Sequence, residues 1–376
     1  MLIPTVTQPN RHSVQKKILL TFVTCAGLGV LGVMFWNQQT TPGLSDAGVF
    51  TTPPEVQTEK TAQRASTATQ SVPQPFYFST MTHMEGVFKD NEVEALFNKH
   101  VADIRWAMAL FDGYGVKLTI ESGESFAKAN TTWGTNILQE VLDRGHGVGT
   151  HADFGVEPRT VYTVETLTEK FRQAKALVDA LVGAENNIGV SGGTSAADWV
   201  LASSAAGFRY MDAVTAFGYL SMPLQARPDG WTDGYIRHTV YHDPIPVDFA
   251  ERIYPLLLAD AKDLVSDTDG VLVVLGGDVG ELASLSEGRS NCVPDCVYDE
   301  ADNTVLMDAI AQAKTLRDPT RVTRLNIHIP LVLLNKKNET LLRSMLSQLH
   351  AAAHDGTMTF ATQRETYDGY SASQNN

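Results

Sequence analysis

Two short stretches carry the residue types of a metal site. "THMEG" at 82–86 closes an apolar run with His83 and Glu85, and "GHGVGTHADFG" at 145–155 supplies His151 and Asp153. In each pair the partners stand two positions apart, so in extended chain both side chains leave the backbone on one side. Two imidazoles and two carboxylates meeting on one rim suit a borderline divalent cation, zinc above all. A cation so held acidifies a bound water and polarises a carbonyl, which is the chemistry of metal-assisted hydrolysis. Asp278 after "GVLVVLGG", His328 in "RLNIHIP" and Glu365 at the end of "MTFATQRE" also follow apolar segments and are candidates for moving protons.

Such groups meet only if the segments bearing them lie side by side. From Phe76 onward, short β-branched runs alternate with amphipathic helical stretches. "FYFSTMTHM", "VKLTIES", "GVGTH", "NIGVSG", "FRYMDAV", "GVLVVLGG", "RLNIHIP" and "MTFATQRE" read as strands. The intervening "NEVEALFNKHVADIRWAMALFDGYG", "VETLTEKFRQAKALVDALVG" and "NETLLRSMLSQLHAAAHDG" read as helices. This alternation predicts an α/β fold with a parallel sheet, whose seven or eight strand–helix units over residues 76–370 could close into a barrel. In such sheets chemistry gathers at the carboxyl ends of the strands, where these residues stand.

The chain before Phe76 has a different character. Residues 18–36 form an uncharged run of about 19 residues, preceded by Arg11, Lys16 and Lys17 and followed by no basic residue until Lys60. That length spans a hydrocarbon core, and the charge asymmetry predicts a single-pass signal anchor in the inner (plasma) membrane. Residues 1–17 would then be a cytoplasmic tail and the body periplasmic or extracytoplasmic. Residues 37–75, rich in Thr, Gln, Ser and Pro, read as a disordered linker that cannot bury enough apolar surface to offset its ordering entropy. Net charge is -14, from 29 basic and 43 acidic residues, and the body has no basic cluster, so nucleic acid is not an expected partner. Of the three cysteines, Cys292 and Cys296 share one loop and are expected to form a disulfide in an oxidising compartment.

The segment from about 76 to 365 resembles the polysaccharide deacetylase superfamily, the NodB-homology or carbohydrate esterase family 4 type. That family's first motif, T-F-D-D-G, falls on "THMEG". Glu85 takes the place of the metal-binding aspartate, and Met84 the place of the catalytic base. The second motif falls on "GHGVGTHADFG", with His151 in the first ligand place and Gly155 in the second. Divergent members with H-x-D or H-x-E on the first strand match His83 and Glu85 better, and Asp153 then replaces the last histidine. The leucine-x-histidine motif resembles "LNIHIP", which implies His328 as general acid. With Met84 unable to act, Asp278 or Glu365 is left as base. "SGGTSAADWV" resembles the substrate-facing loop, implying Ser191, Asp198 and Trp199 as substrate contacts, Trp199 as a sugar platform. The resemblance implies a distorted (β/α) barrel of about seven strands that removes acetyl groups from a polysaccharide with a divalent metal, zinc, as cofactor. The alternatives are an inactive glycan-binding or scaffolding barrel, which Met84 favours, and a related glycoside hydrolase.

Other residues have plainer readings. Asp198 is also placed to cap the helix that follows it. His146 is expected to pack or cap, since it faces away from His151. His238 and His242, in "IRHTVYHDP", are expected in an extended segment near the substrate groove.

Overall fold

The computed structural model describes residues 73–85, 88–152, 154, 162–212, 214–240, 243–245, 247–288 and 296–374. All belong to one unit, Ala68–Asn376. No helix among them is long and apolar enough to cross a membrane, and the expected anchor at 18–36 lies outside the described residues.

Among the described residues ten strands form one sheet: β1 (Phe76–Met84), β2 (Thr119–Ser122), β3 (Gly147–Ala152), β4 (Gly189–Gly192), β5 (Tyr210–Met211), β6 (Leu256–Leu258), β7 (Leu272–Val274), β8 (Asp278–Glu281), β9 (Thr323–His328) and β10 (Thr359–Phe360). Their order is β6-β7-β5-β4-β3-β2-β1-β9-β8, with β10 beside β1. Every pairing is parallel except β6 with β7. The expected alternation is therefore an α/β half-barrel with more strands than the seven anticipated. The sequence reading passed over β6 and β8, which are short and lack an intervening long helix.

Period-two alternation sorts β1 into two faces. Phe76, Phe78 and Met84 are fully buried in a core with Phe97, Ile104 and Met108 of the helix Glu94–Asp112, and with Leu342, Met345 and Leu349 of the helix Glu339–Ala353. The opposite face carries Ser79 and His83, together with Tyr77 and Met81. Its lowest layer is a closed network around Arg324, which has no exposure. Arg324 Nε donates to Ser79 Oγ at 2.9 Å and Nη1 to the Gly276 carbonyl at 2.7 Å, while Nη2 is ion-paired with buried Asp212. Gln363 Nε2 donates to the other Asp212 oxygen, and Ser79 Oγ donates to Asn326 Oδ1 at 3.0 Å.

Candidate active site

Above that layer the strand ends converge. Register makes His83 the neighbour of Glu121 on β2, His151 the neighbour of Ser191 on β4, and His328 the neighbour of Glu281 on β8. Paired residues in a sheet project to the same face, so each imidazole acquires a polar partner from the adjacent strand. His83 Nε2 lies 3.0 Å from Glu121 Oε2, His151 Nδ1 2.9 Å from Ser191 Oγ, and His328 Nδ1 3.3 Å from Glu281 Oε2.

The other side of each ring faces inward. The three imidazoles form a column with His83 in the middle, its ring centroid 4.0 Å from that of His151 and 4.3 Å from that of His328. Glu85 lies across the column, 3.7 Å from His83 Nδ1 and 3.3 Å from His151 Nε2. Ligand atoms of His83, Glu85 and His328 all lie within 4.8 Å of one another.

These contacts set the charge state. Burial would depress His83, but Glu121 and Glu85 outweigh it and hold its pKa well above 6.5. Burial would raise Glu85, but His151 and His83 prevail and hold its carboxyl far below the usual range. His328 goes the other way: burial first, then the charge on His83, lower its pKa against the pull of Glu281.

A divalent cation fits this donor set. Imidazole nitrogens and a carboxylate are acceptable zinc ligands, and the Glu85 carboxylate stands between the imidazoles of His83 and His151. The proton that His83 holds between two carboxylates is the kind of charge that a metal displaces on binding. His83, Glu85 and His151 would hold it, with His328 beside them.

No protein-family model matches the sequence, and no curated protein matches it. Solved structures do. An allantoinase, PuuE, matches with a TM-score of 0.50 at 13% identity, over 79% of this chain and 90% of that one. A protein from Parabacteroides distasonis assigned as a glycoside hydrolase/deacetylase matches with a TM-score of 0.50 at 11% identity, over 80% and 72%. The chain shares the fold of these two proteins. At these identities the likeness is one of fold, and the chemistry rests on this chain's own residues.

Within this fold several sequence expectations move. Met84, in the base position of the first motif, points into the outer core with no exposure. Glu365 does not reach the site. The expected last strand stops at Phe360, and Glu365 stands in the first turn of the helix Gln363–Gln374. There it accepts from the Thr362 amide at 2.7 Å and pairs with Lys117. Asp278 sits one register step below His328, opposite Asn326, whose Nδ2 donates to it at 2.7 Å. Burial raises its pKa, with Arg324 and the Asn326 hydrogen bond opposing. Glu281, not Asp278, is the carboxylate at the level of His328.

Ser191 holds His151 rather than reaching outward, and it is buried. Asp198 caps the helix Trp199–Ala205, accepting from Leu201 N at 3.0 Å, and also accepts from Ala261 N at 3.1 Å. Trp199 is no sugar platform in this fold. It has no exposure, packs among Leu167, Phe171 and Phe208, and donates Nε1–H to the Gly218 carbonyl at 3.2 Å. A Trp199→Ala variant should therefore lose about 3–5 kcal/mol of stability in urea titration; weaker glycan binding at unchanged stability would restore the platform.

His146 packs as expected, accepting from Leu118 N at 3.1 Å. His238 lies in the π-helical turn Ile236–Val240, not in extended chain, and is exposed; His242 lies outside the described residues. So do Asp153, Gly155 and Cys292, while Cys296 is disulfide-bonded.

Sequence reasoning missed Glu121 and Glu281. Glu121 closes "VKLTIES" as His83 closes its own strand, so the strand-end rule applied to every strand would have found it. Glu281 follows "GGDVG", whose glycines give no strand signal of their own.

Proposed function

We propose that this chain is a metal-dependent hydrolase that removes acetyl groups from a polysaccharide outside the cytoplasm. The observation that carries the reading is the Glu85 carboxylate shared by the imidazoles of His83 and His151 at a parallel-sheet rim. Held by those three residues, a divalent cation, zinc by its liking for this donor set, supplies a polarised acetyl carbonyl and an acidified water.

The chain's own groups move the protons. Glu281 beside Nδ1 of His328 favours the tautomer protonated there and leaves Nε2 as the acceptor facing the centre. With its pKa below 6.5, His328 is neutral at pH 7, so it first takes the proton of the attacking water and then returns it to the leaving amine or alkoxide. This reverses the order the family motif implied, in which His328 starts as the acid, and it supplies the base that Met84 does not.

Acetate release from an acetylated glycan, measured on the full chain before and after chelation and again with zinc restored, tests the reading. Loss and recovery of acetate are expected, and chain cleavage without acetate would instead make it a glycoside hydrolase. The rate constant kcat/KM should keep its acid limb below pH 6.5. Glu281→Gln, which removes the group favouring imidazolium, should move that limb lower still. A limb above 6.5, or one indifferent to Glu281, would dismiss His328 as the base.

The location is inferred from the uncharged run at 18–36 and the basic residues before it. Protease added outside intact spheroplasts should digest the body; complete protection would place it in the cytoplasm.

A further inference from the structure

We infer that Glu121 is a positioning residue: it holds Nε2 of His83 so that Nδ1 is the nitrogen offered to a divalent cation. The inference rests on the metal-dependent reading and adds a residue that the resemblance to the deacetylases does not supply.

Glu121 has no exposure, so neither substrate nor bulk water reaches it, and a direct role in bond making is closed to it. A carboxylate taken out of water is costly unless charge or hydrogen bonds compensate it. Neither oxygen of Glu121 has a hydrogen bond of good geometry among the described residues, and its ion-pair contact is His83, 3.0 Å away. A buried carboxyl group on an inward face, kept opposite one imidazole by strand register, is a device for fixing that ring. With Nε2 engaged by Glu121, Nδ1 is left on the Glu85 side, where His151 also points. Fixing the ring through its far nitrogen sets which lone pair the metal meets.

The sequence makes room for this carboxylate at a particular place. Gly149 pairs with Glu121 in register, and a Cβ there would stand 3.2 Å from Glu121 Cγ and 3.3 Å from Oε1. The glycine before Thr150 and His151 thus has a physical task on this face: it leaves space for the group behind His83.

Zinc affinity of the full-length protein, measured by chelator competition, tests the inference through four variants. Glu121→Ala should bind zinc about 10–100-fold more weakly than wild type. Glu121→Gln keeps an acceptor oxygen at the same reach and should stay within roughly threefold of wild type, whereas Glu121→Met fills the space without a carbonyl acceptor and should lose as much as alanine, which a merely space-filling role would not produce. Gly149→Ala, which touches no proposed ligand, should weaken binding by crowding Glu121. Thermal unfolding of each apo variant confirms that the fold persists. Zinc affinity in Glu121→Ala equal to wild type would overturn the inference, as would a loss that Glu121→Gln fails to restore. Wild-type protein that takes up no zinc at all would instead overturn the metal reading on which it rests.

Discussion

His151→Ala should abolish stoichiometric zinc binding and lower kcat/KM roughly a thousandfold or more, since each factor of ten costs the transition state about 1.4 kcal/mol and the metal supplies several. His151 is 7% exposed, fixed through Nδ1 by Ser191, and turned through Nε2 to the Glu85 carboxylate. Alanine removes a ligand and leaves Glu85 with His83 alone. His328→Ala should behave differently. It should retain the metal while kcat falls roughly 10²–10⁴-fold, the usual worth of a placed proton carrier. Metal content by elemental analysis, read beside kcat for both full-length variants, separates the roles. His328 also stands within 4.8 Å of His83 and Glu85. If His328→Ala emptied the site while His151→Ala kept it filled, the two residues would exchange places in the account.

Arg324→Ala should cost about 3–5 kcal/mol of folding stability, the range for breaking a fully buried ion pair by removing one partner. Arg324 and Asp212 both lack exposure, and the guanidinium is held on three sides by Asp212, Ser79 and the Gly276 carbonyl. Without it, Asp212 remains as a buried carboxylate that accepts a hydrogen bond from Gln363 Nε2. Lysine is not an adequate substitute, because one ammonium cannot reproduce the planar fork that reaches three acceptors. Urea titration measures the loss. Adding Asp212→Asn should recover part of it, since the amide removes the stranded charge. A loss under about 1 kcal/mol would mean that the network is filler rather than the floor of the barrel.

That floor bears on the chemistry above it. Arg324, Asn326 and His328 occupy alternate positions of β9, so one strand carries both the structural layer and the residue proposed to move the proton. The glutamate level with His328 comes from β8, whose lower residue Asp278 is tied to Asn326. The site is therefore built on paired strands rather than on free loops, which favours a fixed geometry.

What the sequence by itself determined was local. The alternation of strand and helix, the burial of one face of β1 and the placing of His83, Glu85, His151 and His328 at strand ends all follow from periodicities of two and 3.6 residues. Those periods act within a single segment and can be read there. What only the tertiary structure decided was lateral. Which residue of one strand stands beside which residue of another is register, set by packing across segments distant in the chain. Register brought Glu121 to His83 and Glu281 to His328, and left Asp278 a step below. Depth was equally non-local: Trp199 and Met84 look like surface or catalytic positions by motif, yet the helices laid over the sheet enclose both. Glu365 left the site because its segment turned helical after two strand residues, an early ending that β-propensity along the chain does not announce.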